Sequence, residues 1–209
     1  MWQKEYKKKK FYWGLKPTIG LGEAVEYAQK GTALDIGAGE GRNSIFLANN
    51  GFKVEAIDEV KEGLEKCKNF VEKYNLPIKT KVIDVKKFNF RKDKYSLVLS
   101  TATLDFLKFS EFKKIIKKIQ RSLKKDGIFY LVVLSVKDPV FKWCKEKLKT
   151  VEKNTFYLPK FTTFRHFFSK KELLDIFKNF RIIKIKEEKM KDTHGGIHYH
   201  YLIRIIVKK

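Results

Sequence analysis

Three glycines at alternate positions, Gly37, Gly39 and Gly41, lie in the run LDIGAGEGRNS, between a strand-like apolar run and a helical pattern. Glycine lets a ligand approach the backbone closely, and the helix start offers N–H groups without intrahelical partners. The spacing is not the dinucleotide fingerprint, which needs glycine at position 42, where this chain has Arg42. Asp58 follows Gly37 by 21 residues, at the end of the next apolar run. A carboxylate there can accept hydrogen bonds from both hydroxyls of a ribose. Asp84 closes the run KVID, placed to reach the exocyclic amine of an adenine. Together these three strand ends describe a site for a nucleoside-like ligand without a pyrophosphate.

A second group is THGGIHYHY, which holds His194, His198 and His200, three of the four histidines. His198 and His200 flank Tyr199, so a strand presents both on one face. A metal needs a third well-placed ligand, and His194 in the glycine turn is the candidate. Substrate contact or base catalysis is the stronger reading, and no metal is expected. Asp105, in STATLD, is a further candidate base. Cys67 and Cys144 share no metal-like spacing; each falls on the apolar face of a helical pattern and reads as a buried thiol.

The elements that must position these groups alternate strand and helix. Thr32 to Gly37 is a strand, Gly41 to Asn50 a helix closed by Gly51, and Val54 to Asp58 a second strand. A helix with Leu64, Cys67, Val71 and Tyr74 on one face leads to a third strand over Lys81 to Asp84. Ser96 to Thr101 is a fourth strand. Phe112, Ile115, Ile116, Ile119 and Leu123 stripe a helix, and Asp126-Gly127 turns the chain into a fifth strand, Ile128 to Leu134. That alternation predicts a parallel sheet covered on both faces. Helices over Pro139 to Leu148 and Lys170 to Phe177 bracket FYLPKFTTFRHFF, which reads as irregular. Strand patterns over Arg181 to Lys189 and His198 to Lys208, joined through Gly195-Gly196, form a closing hairpin with one antiparallel strand. The first of these strands should run parallel to the sheet, which brings the histidines to its ligand-binding edge.

A chain of 209 residues with 43% hydrophobic content supports one domain. The reading divides it into a helical lid segment (1–30), a ligand-binding core (31–135), a helical and aromatic insertion (136–180) and the hairpin (181–209). No apolar run is long enough to cross a bilayer, and no signal-peptide pattern follows the basic N-terminus, so a soluble cytoplasmic protein is expected. The net charge of +23 raises RNA or DNA binding, but only six of 47 basic residues are arginine, and the lysines spread over every helix pattern. Lys/Glu enrichment with three glutamines equally fits a thermophile surface, and a positive field would steer any small anionic substrate. Nucleic acid is therefore not favoured as the partner. The sequence sets no oligomeric state.

From Gly31 to Leu134 the pattern resembles the class I S-adenosylmethionine-dependent methyltransferases. LDIGAGEGRNSIFLANNGFKVEAID and YSLVLSTATLDFL are most similar to the tellurite-resistance methyltransferase family. The resemblance implies a Rossmann-like α/β fold with a mainly parallel seven-stranded sheet, a C-terminal antiparallel hairpin and helices on both faces. It implies S-adenosylmethionine as cofactor and S-adenosylhomocysteine as product. Gly37, Ala38 and Gly39 would line the methionine part, with Arg42 and Asn43 close by and Asp35 and Gly41 in the same loop. Asp58 would take the ribose with Glu59 beside it, and Asp84 and Val85 the adenine edge. Ser100 and Thr101 would lie under the sulfonium, Leu104 and Asp105 would start the substrate side, and Tyr12 and Trp13 would fold over as a lid.

The acceptor is read partly from absences. Enzymes that methylate the amino groups of bases carry an Asn/Asp-Pro-Pro-aromatic run after the fourth strand, and this chain has STATLD. Base C5 methylation needs a nucleophilic cysteine, and neither cysteine ends a strand. The tellurite family's His and Arg arrangement near the last strand is replaced by THGGIHYHY, with no arginine until Arg204. The reading is a small-molecule methyltransferase with an anionic or chalcogen/metalloid acceptor; the alternatives are an RNA or protein methyltransferase and a non-catalytic cofactor-binding partner.

Overall fold

The computed structural model describes residues 2–8, 10–193 and 196–209. Two short helices, α1 (Gln3–Tyr6) and α2 (Leu21–Tyr27), precede β1 (Thr32–Ile36). Then come α3 (Arg42–Asn49), β2 (Lys53–Asp58), α4 (Lys61–Tyr74), β3 (Ile78–Val82), β4 (Tyr95–Thr101), α5 (Phe109–Ser122) and β5 (Leu123–Leu134). The last third holds α6 (Pro139–Lys147), the short strands β6 (Thr150–Glu152), β7 (Thr155–Leu158) and β8 (Thr163–His166), α7 (Lys170–Ile176), and the long strands β9 (Arg181–Asp192) and β10 (His198–Lys208).

Seven strands form one sheet in the order β3-β2-β1-β4-β5-β10-β9. β1 to β5 pair in parallel, while β10 is antiparallel to both β5 and β9. β9 therefore points the same way as β5, and the β9–β10 turn lies at the carboxyl edge, as the sequence predicts. The order of strands reverses between β1 and β4, the place where open α/β sheets form a ligand crevice.

Burial explains the apolar runs. Val98 on β4 and Phe129, Leu131 and Val133 on β5 pack against Phe112, Ile115, Ile116 and Ile119 of α5. Leu97, Leu99 and Tyr130 point to the opposite face and meet Leu21 and Ala24 of α2 and Ile45 and Leu47 of α3. Strands covered on both faces lose their alternation, so these read as continuous apolar sequence. Truncating a side chain as enclosed as Ile119 to alanine would cost about 2–5 kcal/mol.

Three expectations are corrected. The third strand lies at Ile78–Val82 rather than Lys81 to Asp84, because register with β2 pairs Val54 with Ile78 and Asp58 with Val82. It is a sheet edge carrying Lys79 and Lys81, so its sequence lacks the apolar signature of a buried strand. FYLPKFTTFRHFF is not irregular: β7 and β8 pair antiparallel within it, and β6 completes a small three-stranded sheet. On α4 the buried stripe holds Gly63, Leu64 and Cys67, whereas Tyr74 is exposed. Both cysteines are buried and unpaired with each other. Among the described residues, no helix is long and apolar enough to cross a membrane.

Candidate active site at the carboxyl edge of the sheet

The loop after β1 is bound to the end of β2 through its backbone. Gly37 N–H and Ala38 N–H both donate to the Ile57 carbonyl, at 2.8 and 3.0 Å. Asp58 then locks the loop from the other side: its Oδ2 accepts from Gly39 N–H and its Oδ1 from Val60 N–H, each at 2.8 Å. Burial pushes the Asp58 carboxyl above its ordinary value, while those two backbone donors favour its charged form. Gly37 has φ 74°, and a Cβ there would stand 2.0 Å from Thr103 Oγ1, so no other residue fits. A Cβ on Gly41, at φ 86°, would meet Cys67 Sγ at 2.3 Å, which ties the buried thiol to the shape of the loop.

A cavity of about 770 Å³ opens beside this loop. Gly37, Ala38, Gly39, Arg42, Asn43, Asp58 and Glu59 line one side. Asp84 and Val85 also line it, although Asp84 stands past the strand end and caps a 3₁₀ turn, Val85–Lys87, by accepting from Lys86 N–H at 2.8 Å. Thr101 joins them, its Oγ1 accepting from Asn43 Nδ2 at 3.2 Å.

Tyr12 and Trp13 line the cavity as well, packed edge to face at 4.9 Å. Glu40 holds them there: its Oε2 accepts from Tyr12 N–H at 2.6 Å and Trp13 N–H at 3.4 Å, and its Oε1 pairs with Lys66 at 2.6 Å. Trp2 and Tyr6 complete the aromatic cover, with Trp2 5.4 Å from Trp13 and 6.3 Å from Tyr6. Thr18 N–H donates to Asn43 Oδ1 at 2.8 Å, pinning the next stretch to α3. Burial raises the Tyr6 hydroxyl above its ordinary range, so it stays a neutral group facing the loop.

Five expected residues do not line the cavity. Asp35 is buried under the loop, where its Oδ2 accepts from the Ser44 hydroxyl at 2.7 Å. Burial pushes its carboxyl up to about 6. Gly41, Ser100 and Leu104 are likewise buried behind the wall. Asp105 is fully buried, and its Oδ2 accepts from the guanidinium of Arg165, which faces the cavity.

Arg165 comes from β8, and its guanidinium lies 3.6 Å over the Phe106 ring. The β9–β10 hairpin forms the rest of that wall through Met190, Lys191, Asp192, His198 and His200. The two imidazoles share one face, with ring centroids 4.9 Å apart. His200 Nδ1 lies 2.9 Å from Asp138 Oδ2, and that partner raises the imidazole above its ordinary value. His194 lies outside the described residues. The fourth histidine, His166, is buried between Phe109 and Phe168 and bonded to Thr155 and Glu172, which is core packing.

Sequence reading missed Tyr6, Glu40, Thr103, Arg165 and Asp192. Glu40 carried a signal, being an acidic residue inside the glycine loop itself. Arg165 carried a weaker one as the lone arginine of the aromatic segment; its partner is 60 residues away.

The sequence model of a family described as "Tellurite resistance protein TehB" matches residues 1–198. A curated relative from Haemophilus influenzae (strain 10810), "Probable S-adenosyl-L-methionine-dependent methyltransferase TehB", is 29% identical over 132 residues, or 60% of this chain and 46% of the relative. The match thus spans about half that relative's length. Among solved structures, an S-adenosylmethionine-dependent methyltransferase from Methanosarcina mazei has TM-score 0.74 at 23% identity, over 88% of this chain and 95% of that one. TehB from Haemophilus influenzae has TM-score 0.72 at 21% identity, over 100% of this chain and 65% of that one. Likeness at that identity establishes the fold, a class I methyltransferase sheet with its C-terminal antiparallel pair.

Proposed function

The chain belongs to the TehB family of tellurite-resistance proteins, and on that premise we propose that it transfers a methyl group from S-adenosylmethionine to a small anionic acceptor. The observation that carries this reading is Asp58. Each of its carboxylate oxygens accepts one backbone N–H and, with two acceptor sites per oxygen, keeps capacity for one ribose hydroxyl where the residue lines the cavity. The residues lining the cavity fit the cofactor: Glu59 would stand beside the ribose, Asp84 and Val85 would hold the adenine edge, and Gly37 to Gly39 with Arg42 and Asn43 would take the methionine end. Tyr12 and Trp13, fixed by Glu40, would exclude water from it. When bound, the cofactor supplies a methyl group for in-line displacement, and positioning of the two reactants provides much of the rate.

The opposite wall suits an anion. Arg165 and Lys191 line it, while Lys86 lines the cavity on the adenine side. His198 and His200 contact the acceptor or take its proton, and Asp105 serves by fixing Arg165. Oxyanions and chalcogen or metalloid anions match that wall. The test is a methyl-transfer assay against a panel of oxyanions, thiols, small amines and total RNA. Transfer to an anionic small molecule supports the reading, and transfer confined to RNA overturns it. The net charge of +23 is the feature that favours RNA; affinity for RNA that falls steeply as salt rises would accompany that outcome.

A further inference from the structure

Asp192, at the end of β9, faces His198 and His200, at the start of β10. One ligand atom from each lies within 4.8 Å of the other two. Pairing register sets this up, since His198 stands opposite Asp192 and His200 two residues further along the same face.

The hydrogen bonds assign the tautomers. His198 Nδ1 lies 2.9 Å from the Gly196 carbonyl oxygen, which only accepts, so Nδ1 carries the hydrogen. His200 Nδ1 lies 2.9 Å from Asp138 Oδ2, and that carboxylate already accepts from Tyr201 N–H and Val140 N–H. In the neutral rings both Nε2 atoms therefore keep their lone pairs. Yet they point at each other 3.1 Å apart, with Asp192 Oδ2 3.8 Å from His198 Nε2. Two lone pairs and a carboxylate within 4.8 Å of one another call for a positive centre among them, a shared proton or a bound cation.

We propose that this cluster is a binding site for a divalent first-row ion of the Zn²⁺ type, with Asp192, His198 and His200 as its ligands. Two Zn–N bonds of about 2.0–2.1 Å at the tetrahedral angle hold their nitrogens about 3.3 Å apart, close to the spacing here. Asp138 stands behind His200 as the carboxylate that orients a ligating histidine and raises its basicity. Asp138 is itself buried and fixed by the start of α6, so the imidazole is aimed before any ion arrives. Three protein ligands leave a fourth position open, as in sites where a metal takes a further ligand. All three residues line the cavity, so that position is available to the heteroatom of an anion bound there, and with the ion in place the two rings meet the acceptor through it rather than taking its proton. The side chains of His198 and His200 are 43% and 25% exposed, which gives an ion a route in.

The test is calorimetric titration of chelator-stripped protein with Zn²⁺ alone, repeated with Co²⁺ read by visible absorption. Because no S-adenosylmethionine is present, the result is independent of the methyl-transfer reading. The wild type should bind one equivalent, with the intense bands of four-coordinate Co²⁺. The double variant His198→Ala/His200→Ala should bind more than about 100-fold more weakly, since loss of an outer partner alone costs about 10–100-fold. Asp192→Asn keeps both rings and the size of the side chain, and should also weaken binding. Absence of binding in the wild type, or equal binding in the double variant, would overturn the proposal; the two nitrogens would then share a proton.

Discussion

The two walls of the cavity are built from different material. The wall at β1, β2 and β3 is mostly backbone: the loop amides, the Ile57 carbonyl, and carboxylates bonded to peptide N–H groups, as Asp58 is to Gly39 and Val60. The wall at β8, β9 and β10 is made of side chains joined across long separations, Asp105 to Arg165 over 60 residues and Asp138 to His200 over 62. A backbone wall can be rebuilt only with its motif, so it stays recognisable. A side-chain wall can change its chemistry one residue at a time, which makes it the place where an acceptor is chosen.

The far wall should fail first when its buried pair is broken. Arg165→Ala leaves the Asp105 carboxylate buried and unmatched, and should cost about 3–5 kcal/mol in urea unfolding. Replacing both partners by apolar residues should recover most of it. A loss under about 1 kcal/mol would mean the pair does not brace the wall.

The near wall has its own buried carboxyl in Asp35, held at about 6 against an ordinary 3.8. The unfolded chain ionises first, so the folded chain binds more protons between those values. This contribution is full below pH 3.8 and is lost as pH rises through 6. Relative to Asp35→Asn, the wild type should lose about 2 kcal/mol of stability between pH 4 and pH 7. Parallel curves for the two proteins would remove the charge from this account.

Glu40→Ala frees the Tyr12–Trp13 segment and strands Lys66. It should cost about 1–3 kcal/mol and shift tryptophan fluorescence toward that of exposed indole. An unchanged spectrum would show that the cover is held by ring packing instead. The smallest effect on stability belongs to His198→Ala, within about 0.5 kcal/mol because the side chain sits at the surface, 43% exposed. Turnover should fall while cofactor affinity holds; loss of both together would place His198 in the fold rather than at the acceptor.

Legibility in the sequence follows the same division. The fold was readable because β4 and β5 are buried on both faces and α5 carries an unbroken stripe. β3 was misplaced because an edge strand of Lys79, Thr80 and Lys81 has no apolar pattern to register. Gly37, Asp58 and Thr101 were found through the strand ends that hold them. Arg165 and Asp192 were not, because nothing local tells an arginine on β8 that its partner is Asp105, or an aspartate on β9 that β10 will pair two histidines against it.

The most direct measurement is calorimetry with S-adenosylmethionine on the wild type and on Asp58→Ala. One site per chain is expected in the wild type and affinity about 100-fold weaker in the variant, the loss expected for charge-assisted hydrogen bonds to a ribose. No binding in the wild type, or the same affinity in both proteins, would contradict it.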